Sequence, residues 1–348
     1  MTLQETLDRY LPPLEQLQRA ILAPASGDYK PLYGMQQYHQ GWLDERLQPA
    51  AADGGKHIRA ALCLLCCEAC GAGLGQALPL AAAIELLHSF SLVHDDIQDR
   101  SQVRRHRPTV WVLWGAAQAI NAGDSLYAAA HVALYRSREV LPADVVLRLA
   151  VGFEDTCLRL CEGQYLDMAF EREARISHSQ YMGMIELKTA ALIAYSAWSG
   201  AIAAGASEAI ADAFRLMGRE LGLAFQIQDD VLGIWGDEKE TGKSVFSDIA
   251  AAKKTLPLLY ALEALPEAQA AELERIYGQA SRGAYARDET DVAGARHLIE
   301  ASGAKRRCLM LARMHHAAAL QHLQEARPLP EAEAALRELV GQLSGRQR

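Results

Sequence analysis

The chain has 348 residues, half of them hydrophobic, and a formal net charge of −8. An acidic chain argues against a nucleic-acid-binding protein, which would present a basic face, and the apolar content is sufficient for a large core. Small anionic ligands remain open, because local arginine clusters can bind phosphate on an acidic protein.

Several features favour a cytoplasmic protein without a membrane-spanning segment. The start of the chain, "MTLQETLDRYLPPLEQL", has neither the basic region nor the apolar stretch of a secretory signal. The longest apolar run, 77–93, is interrupted by Pro79, Glu85 and His88, and it is too short and too polar to span a bilayer. Seven cysteines, an odd number, fit a reducing compartment.

Helical periodicity recurs along the whole chain, whereas strand signals are almost absent. Short loops rich in glycine, proline and serine separate the periodic segments, and no longer repeat is present. We therefore predict one all-α domain over residues 1–348. The predicted helices span, in chain order, 3–22, 57–69, 79–99, 116–140, 143–168, 177–204, 208–235, 256–264, 267–278, 293–301, 305–324 and 331–343.

The second predicted helix contains most of "CLLCCEAC", with Cys63, Cys66, Cys67 and Cys70. Such a cluster could bind a metal or an iron–sulfur centre. The spacing is also that of one helical stripe, on which cysteine behaves as a small apolar residue. Because alanine and leucine surround the cluster and no partner histidines or cysteines lie nearby in sequence, we interpret it as core.

The predicted helix 79–99 is apolar and then turns ionic, in "LLHSFSLVHDDIQDRSQVRRHRPTVW". Asp95 and Asp99 are four positions apart and face the same way, with Asp96 about 100° round the helix. Like charges this close destabilise a helix, and Mg²⁺ can offset them with a few carboxylates and substrate phosphate oxygens. For this cluster alone, a solvated helix end is the alternative.

A second apolar helix ends in the same way, in "LAFQIQDDVLGIWGDEKETGKSVFSDIAAAKKTLP", with the pair Asp229 and Asp230. Anions at a helix C-terminus oppose the helix dipole, so an acidic end that occurs twice favours a functional role. We predict that the two ends place carboxylates on opposing walls of one cavity.

Basic side chains accompany the carboxylates. The turn at Gly54–Gly55 would let a phosphate approach closely beside Lys56 and Arg59. For any single lysine, a solvated position is the alternative. Taken together with the carboxylates, the basic residues predict a metal-bridged diphosphate site beside a second anion site without metal. The other members of the basic set are Arg104, Arg105, Lys188, Lys243 and Lys253.

The ordered motifs between about residues 54 and 257 resemble those of the trans-isoprenyl diphosphate synthases, the polyprenyl synthetase family. The motifs are "GGKHIR", "LLHSFSLVHDDIQD", "RRHRPT", "GDSL", "GQYLD", "LKT", "FQIQDD", "GKSVFSDI" and "KKTLP", and the helices of 258–348 carry none of them. The resemblance implies a helical bundle around a deep central cavity, a homodimer and three Mg²⁺ ions. The implied reaction condenses isopentenyl diphosphate head to tail with an allylic diphosphate.

The resemblance also implies roles by position. Asp95 and Asp99 match metal ligands, supported by Asp96, and Asp229 matches the main ligand of the second motif, next to Asp230. The isopentenyl diphosphate positions are Lys56, Arg59, His88 and Arg105; the allylic diphosphate positions are Arg104, Lys188, Lys243 and Lys253; the groups facing the reacting carbons are Lys188, Thr189 and Gln226.

Three positions depart from the family pattern. His57 replaces an arginine, which would make anion binding weaker or pH-dependent. Ala60 replaces a proline, a change of little expected consequence. Gly233 replaces the third aspartate of the second motif, for which Asp237 is a candidate substitute.

Chain length is expected to depend on the helix below Asp95. Phe90 lies about 7.5 Å below Asp95 along the axis, and Leu87 lies roughly one turn deeper. An aromatic residue here, followed by the small Ser91, resembles the C20 subtype of the family, although Phe90 could be simple core packing. We predict geranylgeranyl diphosphate as the product, with C15 and C25 products as alternatives.

Two other functions remain as alternatives. A class I terpene cyclase shares the acidic helix end and Mg²⁺, but it would not need Lys56, Arg59 and Arg105, and its second metal motif is not found. A non-catalytic subunit of a heteromeric synthase tends to lose its acidic motifs, and both are present here.

Overall fold

Nearly all regular structure of the protein is α-helical. The structure, a computed structural model, describes residues 2–23, 27–236, 249, 253–278 and 289–344. Within that part the only sheet is a pair of two-residue strands, so the all-α prediction is confirmed. The helices up to residue 170 are α1 Leu3–Ile21, α2 Lys30–His39, α3 Ile58–Ala69, α4 Leu74–Gln98, α5 Val110–Trp114, α6 Ala116–Tyr135 and α7 Ala143–Phe170.

The later helices follow the predicted order, with one interruption. The predicted helix 177–204 contains a five-residue π-helical segment, Glu186–Ala190, that divides it into α8 and α9. The short helices α2 and α5 were not predicted, because neither shows an extended apolar period. The remaining helices are α8 His178–Ile185, α9 Ala191–Ala203, α10 Glu208–Trp235, α11 Leu256–Ala264, α12 Glu267–Gly278, α13 Glu289–Ala301, α14 Ala304–Glu325 and α15 Pro330–Ser344.

The chain groups into two compact units. The first comprises Met1–Cys157, Tyr195–Arg215 and Leu323–Leu339, and the second comprises Leu158–Ala194, Leu216–His322 and Val340–Arg348. Each unit therefore draws on separated stretches of the sequence. That all 348 residues form one domain stays a prediction.

In the first unit, α4 packs against α1, α3 and α6. Its central residues from Leu80 to Leu87 are all buried, and α3 contributes the buried Cys63, Cys66 and Cys67. All seven cysteines are free, and burial raises the pKa of Cys67 to about 12. Cys63, Cys66 and Cys67 are therefore core, as predicted, because all three are fully buried among apolar side chains, and Cys70 at the end of the stripe is partly buried.

In the second unit, a separate apolar core is built from α8, α10, α11 and the helices that follow. Tyr181, Leu223, Ile227 and Leu256 are among its buried members. This core surrounds the residues on which the "LKT" and "FQIQDD" motifs lie.

One described helix, α4, is long and apolar enough to cross a membrane by length and composition. The helix has 25 residues, so the apolar run 77–93 underestimates its length. Of the most apolar window, 61% is buried inside the protein, as in a core helix. A single helix of this kind is weak evidence for a membrane span.

Candidate active site

The first acidic end lies at the C-terminus of α4, and its three aspartates differ in exposure. Asp95 is half-buried and Asp99 is exposed, whereas only 2% of Asp96 is exposed. Asp96 accepts hydrogen bonds from Arg104, whose Nε lies 2.9 Å from each carboxylate oxygen. Burial raises the pKa of Asp96, although Arg104 acts in the opposite direction. Asp96 is thus bonded within the protein, and Asp95 and Asp99 are the more accessible pair.

A short hairpin holds the arginines that follow α4. Strand β1 (Val103–Arg104) pairs antiparallel with β2 (Arg107–Pro108), and both turn residues, Arg105 and His106, have positive φ, 51° and 61°. Glycine or asparagine usually fills such turns, and because neither occurs here the hairpin could not be predicted from the sequence. The turn brings the Arg105 guanidinium to the carbonyl oxygen of Gly54, to which it donates. Charged groups line the recess beside it: Asp53, Asp96, Arg104, Arg105 and Arg107.

The "GGKHIR" segment is anchored to α4 by Glu85. Nδ1 of His57, the N-cap residue of α3, lies 3.2 Å from Glu85 Oε2. The other oxygen of Glu85 accepts the backbone N–H of Ala60 at 3.1 Å. Burial acts against both charged forms, but their contact raises the pKa of His57 and lowers the pKa of Glu85. The pair therefore fixes the start of α3 and favours a protonated His57.

Arg59 and His88 form a second contact between α3 and α4. Nη1 of Arg59 donates to Nε2 of His88 at 3.1 Å. Burial, together with the charge of Arg59 and its neighbours, lowers the pKa of His88 well below its ordinary value, so the ring is neutral and can accept. The structure thus brings together two of the residues predicted to bind one anion. Nε of Arg59 is buried and has no hydrogen-bond partner among the described residues.

Phe90 packs against a ring whose position is fixed by polar contacts. Its centroid lies 4.8 Å from the ring of His94 and 5.1 Å from that of Tyr127. The Tyr127 hydroxyl donates to Glu154 at 3.3 Å, and His131 contacts the other oxygen of Glu154 at 2.7 Å. Of the other two positions expected to set chain length, Leu87 is fully buried, and Ser91 donates to the carbonyl oxygen of His88 at 2.9 Å.

The second acidic end, on α10, shows the same difference in exposure between its two aspartates as the first. Asp229 is half-buried, whereas only 4% of Asp230 is exposed. Asp230 accepts hydrogen bonds from the Tyr181 hydroxyl, from Nε2 of Gln226 at 3.0 Å and from the backbone N–H of Leu256 at 3.0 Å. These bonds connect α8, α10 and α11 through one buried carboxylate.

Lys188 and Thr189 lie on the π segment Glu186–Ala190. The Thr189 hydroxyl donates to Oε1 of Gln226 at 2.7 Å, and Gln226 donates in turn to Asp230. One chain of hydrogen bonds therefore fixes Thr189, Gln226 and Asp230 relative to one another. Single π turns within α-helices occur frequently at functional sites.

The "GQYLD" motif of α7 supports the π segment. Nζ of Lys188 lies 2.5 Å from Oδ2 of Asp167, so the lysine charge is paired. A Cβ atom on Gly163 would lie 2.3 Å from the backbone nitrogen of Lys188, closer than side chains tolerate. Only glycine allows α7 to approach the π segment this closely.

The remaining predicted residues are less informative. Lys243 and Asp237 lie outside the described residues, and Lys253 begins a described segment, where it is half-buried. Gly233 lies on α10, one turn after Asp229.

Sequence reasoning missed the residues that hold the predicted ones in place. Glu85, a lone acidic residue in an apolar run, and Asp167, inside a quoted motif, both gave a signal that could have been used. The sequence pattern alone predicts a helix surface for the pair "HH" at His315 and His316, and for His315 the structure corrects this prediction. Its side chain is only 17% exposed, and Nδ1 lies 2.6 Å from Glu220.

Comparison with known proteins decides the family. The model of the family described as polyprenyl synthetase matches residues 40–290. The chain belongs to the polyprenyl synthetase family. A (2E,6E)-farnesyl diphosphate synthase of Mycobacterium tuberculosis is 41% identical over 278 residues, 80% of this chain and 76% of the relative. A geranylgeranyl diphosphate synthase of the same species is 40% identical over 275 residues, 79% of this chain and 76% of the relative.

Solved structures agree on the fold. The polyprenyl synthetase from Streptomyces coelicolor A3(2) superposes with a TM-score of 0.87 and 34% identity, covering 98% of this chain and 99% of that one. The protein is thus a prenyl diphosphate synthase, a transferase with the helical isoprenoid synthase fold. Because its relatives include both farnesyl and geranylgeranyl diphosphate synthases, family membership leaves the product length open.

The Glu85–His57 contact predicts a measurable titration. The raised pKa of His57 means that its contribution to stability is complete below pH 6.5 and is lost as the pH rises through the higher folded value. In Glu85→Gln the His57 pKa should fall below that of the wild type. NMR titration of the His57 ring measures this shift. The same His57 pKa in both proteins would contradict the assigned contact.

Proposed function

We propose that the protein condenses isopentenyl diphosphate with an allylic diphosphate to give geranylgeranyl diphosphate. The main support for this proposal is that both acidic helix ends show the same difference between their two adjacent aspartates. In each aspartate pair, the first residue is accessible and the second is buried and bonded within the protein. Family membership supports the reaction, and the aromatic packing of Phe90 supports the C20 product.

The accessible aspartates suit magnesium, which is bound together with isoprenyl diphosphate in a solved geranylgeranyl pyrophosphate synthase from Corynebacterium glutamicum. No group of three or more histidine, cysteine or acidic side chains in the described part of the chain could hold a metal alone. This fits Mg²⁺, which commonly takes a few carboxylates and completes its shell with water and substrate phosphate. Asp95, Asp99 and Asp229 would be the ligands, with three ions expected. Bound Mg²⁺ would neutralise the charge that develops on the leaving diphosphate.

Asp96 and Asp230 take a different role in this proposal. Both were predicted as metal-site residues, Asp96 in support of its neighbours. Their oxygens already accept hydrogen bonds from Arg104 or from Tyr181 and Gln226, and both are buried. We assign them to positioning of those partners.

The diphosphate groups would bind to the cationic residues of the chain. Lys56, Arg59, Arg105 and the neutral His88 would hold isopentenyl diphosphate, and the buried, unpaired Nε of Arg59 supports an anion there. Charge-assisted hydrogen bonds from such groups are roughly twice as strong as neutral ones. The allylic diphosphate would bind Arg104, Lys188, Lys243 and Lys253.

The apolar helix below the acidic end would protect the reaction. Ionisation of the allylic diphosphate leaves a cation, which the carbonyl of Lys188, the Thr189 hydroxyl and the Gln226 amide would stabilise as fixed dipoles. The double bond of isopentenyl diphosphate then attacks this cation, and the departing diphosphate takes the proton that is lost. Water must be excluded, because it would quench the cation.

Phe90 would set the length of the product. Its ring packs against Tyr127, which Glu154 holds from α7, so the prenyl tail would meet a supported aromatic surface. Leu87 lies about one turn away on α4, and the small Ser91 directly follows Phe90. A tail that cannot pass Phe90 stops growing.

We also propose a homodimer that forms through α7. Leu147, Val151, Leu158 and Tyr165 are 67%, 64%, 65% and 73% exposed. Their spacing of four, seven and seven residues places them on one face of α7, as the apolar positions of a coiled coil are placed. A second copy of the same chain supplies a matching apolar face. We keep the cytoplasm as the proposed compartment, since all seven cysteines are free.

Product analysis tests the proposed function. Purified protein incubated with Mg²⁺, isopentenyl diphosphate and farnesyl diphosphate should release geranylgeranyl diphosphate, identified by mass spectrometry. A hydrocarbon product would indicate a cyclase, and no product would indicate a non-catalytic subunit. A C15 or C25 end product would refute the assigned chain length alone.

Replacement of Phe90 tests the length-setting surface. Phe90→Ala should lengthen the product by one or more five-carbon units, because the tail can then pass α4. The control Phe214→Ala removes a fully buried ring elsewhere and should cost about 3–5 kcal/mol of stability without changing the product. An unchanged product length in Phe90→Ala would contradict the proposed role of this ring.

Solution mass tests the dimer. Analytical ultracentrifugation should give twice the chain mass of 38.0 kDa. The double variant Leu147→Glu/Val151→Glu should shift the protein to monomer, because charge would be buried in the contact. Leu329→Glu, at a leucine that is 46% exposed and lies between α14 and α15, is the matched control and should remain dimeric. A monomeric wild-type protein is the contrary result.

A further inference from the structure

A bonded network joins the C-terminal helices to the π segment. Arg219 on α10 donates to both oxygens of Glu186, from Nε at 2.9 Å and from Nη2 at 2.6 Å. Glu186 is the first residue of the π segment that carries Lys188 and Thr189. The parallel, two-bond geometry fixes orientation as well as distance.

A buried carboxylate holds the other side of Arg219. Nη1 of Arg219 donates to Oε1 of Glu220 at 2.6 Å, and Nδ1 of His315 lies 2.6 Å from Oε2 of the same residue. Glu220 is only 9% exposed, and α14 carries His315. Burial alone would raise the pKa of Glu220, but His315 and Arg219 together lower it. The anion is therefore kept between two donors.

The simplest alternative is an ordinary surface ion pair between Arg219 and Glu186. Their side chains are 35% and 38% exposed, and an isolated pair of that kind contributes little. Arg219, however, is bonded at all three of its guanidinium nitrogens, and its second partner is buried and itself paired. A network with fixed geometry holds its members far better than a single exposed pair.

The π segment needs such support. It inserts a wider turn into a helix, and its backbone closes through the N–H of Ala191 and the carbonyl of Glu186. Asp167 and Gln226 contact the segment at Lys188 and Thr189. Arg219 is the contact at its first residue.

We propose that Arg219, Glu220 and His315 are positioning residues, which hold the π segment so that Lys188 and Thr189 face the reacting carbons. This inference rests on the proposed prenyl transfer for its catalytic meaning. It assigns a role to α14, a helix of the C-terminal third of the chain, through His315.

Kinetics of a double-mutant cycle test the link. Arg219→Gln and Glu186→Gln should each lower kcat by about 10- to 100-fold, because small misplacements of catalytic groups cost that much. KM for isopentenyl diphosphate should stay unchanged, since its proposed ligands lie on α3 and the segment just before it, on α4 and in the β1–β2 hairpin. The double variant should be no slower than either single one, because both remove the same bond. Arg219→Lys keeps the charge but loses the planar two-bond geometry, so its kcat should lie between those of the wild type and Arg219→Gln.

Hydrogen exchange gives a readout that does not depend on activity. In Arg219→Gln and in His315→Gln, the backbone amides of residues 186–190 should exchange faster than in the wild type. Arg296→Gln is the matched control, because Arg296 pairs with Glu300 on an exposed helix face of the same unit. It should change neither kcat nor exchange at 186–190.

Two results would overturn the inference: kcat and exchange in Arg219→Gln equal to those of the control, or fully additive losses in the double variant. A wild-type protein that transfers no prenyl group would instead refute the proposed function. The exchange comparison would still decide whether the network holds the π segment.

Discussion

A charge that is removed from water must find a partner, and this constraint organises both units of the protein. In the first unit, Asp96 is paired with Arg104, and Glu85 with His57. In the second unit, Lys188 is paired with Asp167, and Asp230 collects three donors. Each of these ionic groups therefore also fixes the backbone or side chain of a neighbour in the predicted site.

The same constraint separates the residues that serve the substrate from those that serve the protein. A carboxylate that is buried and already surrounded by donors has little capacity left for a metal ion, whereas a more exposed carboxylate can be reached by a ligand from solvent. On this argument the two "DD" pairs are equivalent in sequence but not in role. Their first members would bind magnesium, and their second members hold Arg104 or Gln226 in place.

The sequence was sufficient for the helical fold and for the positions of the motifs, because apolar periodicity and acidic helix ends are local patterns. It could not separate Asp229 from Asp230, since burial depends on Tyr181 and Leu256, far away in the chain. The π segment and the hairpin at Arg105 could not be predicted from local sequence patterns either. Both are backbone irregularities held by partners distant in sequence, such as Gly163 and Gly54.

The most direct test of these different roles is to titrate magnesium and measure the prenyl transfer rate in Asp229→Asn and in Asp230→Asn. The account predicts that Asp229→Asn raises the Mg²⁺ concentration for half-maximal rate by about tenfold or more, because removing a direct ligand should cost at least as much as changing an outer-shell partner. Asp230→Asn should lower kcat and leave the Mg²⁺ requirement unchanged. An equal shift of the Mg²⁺ requirement in the two variants would contradict the account.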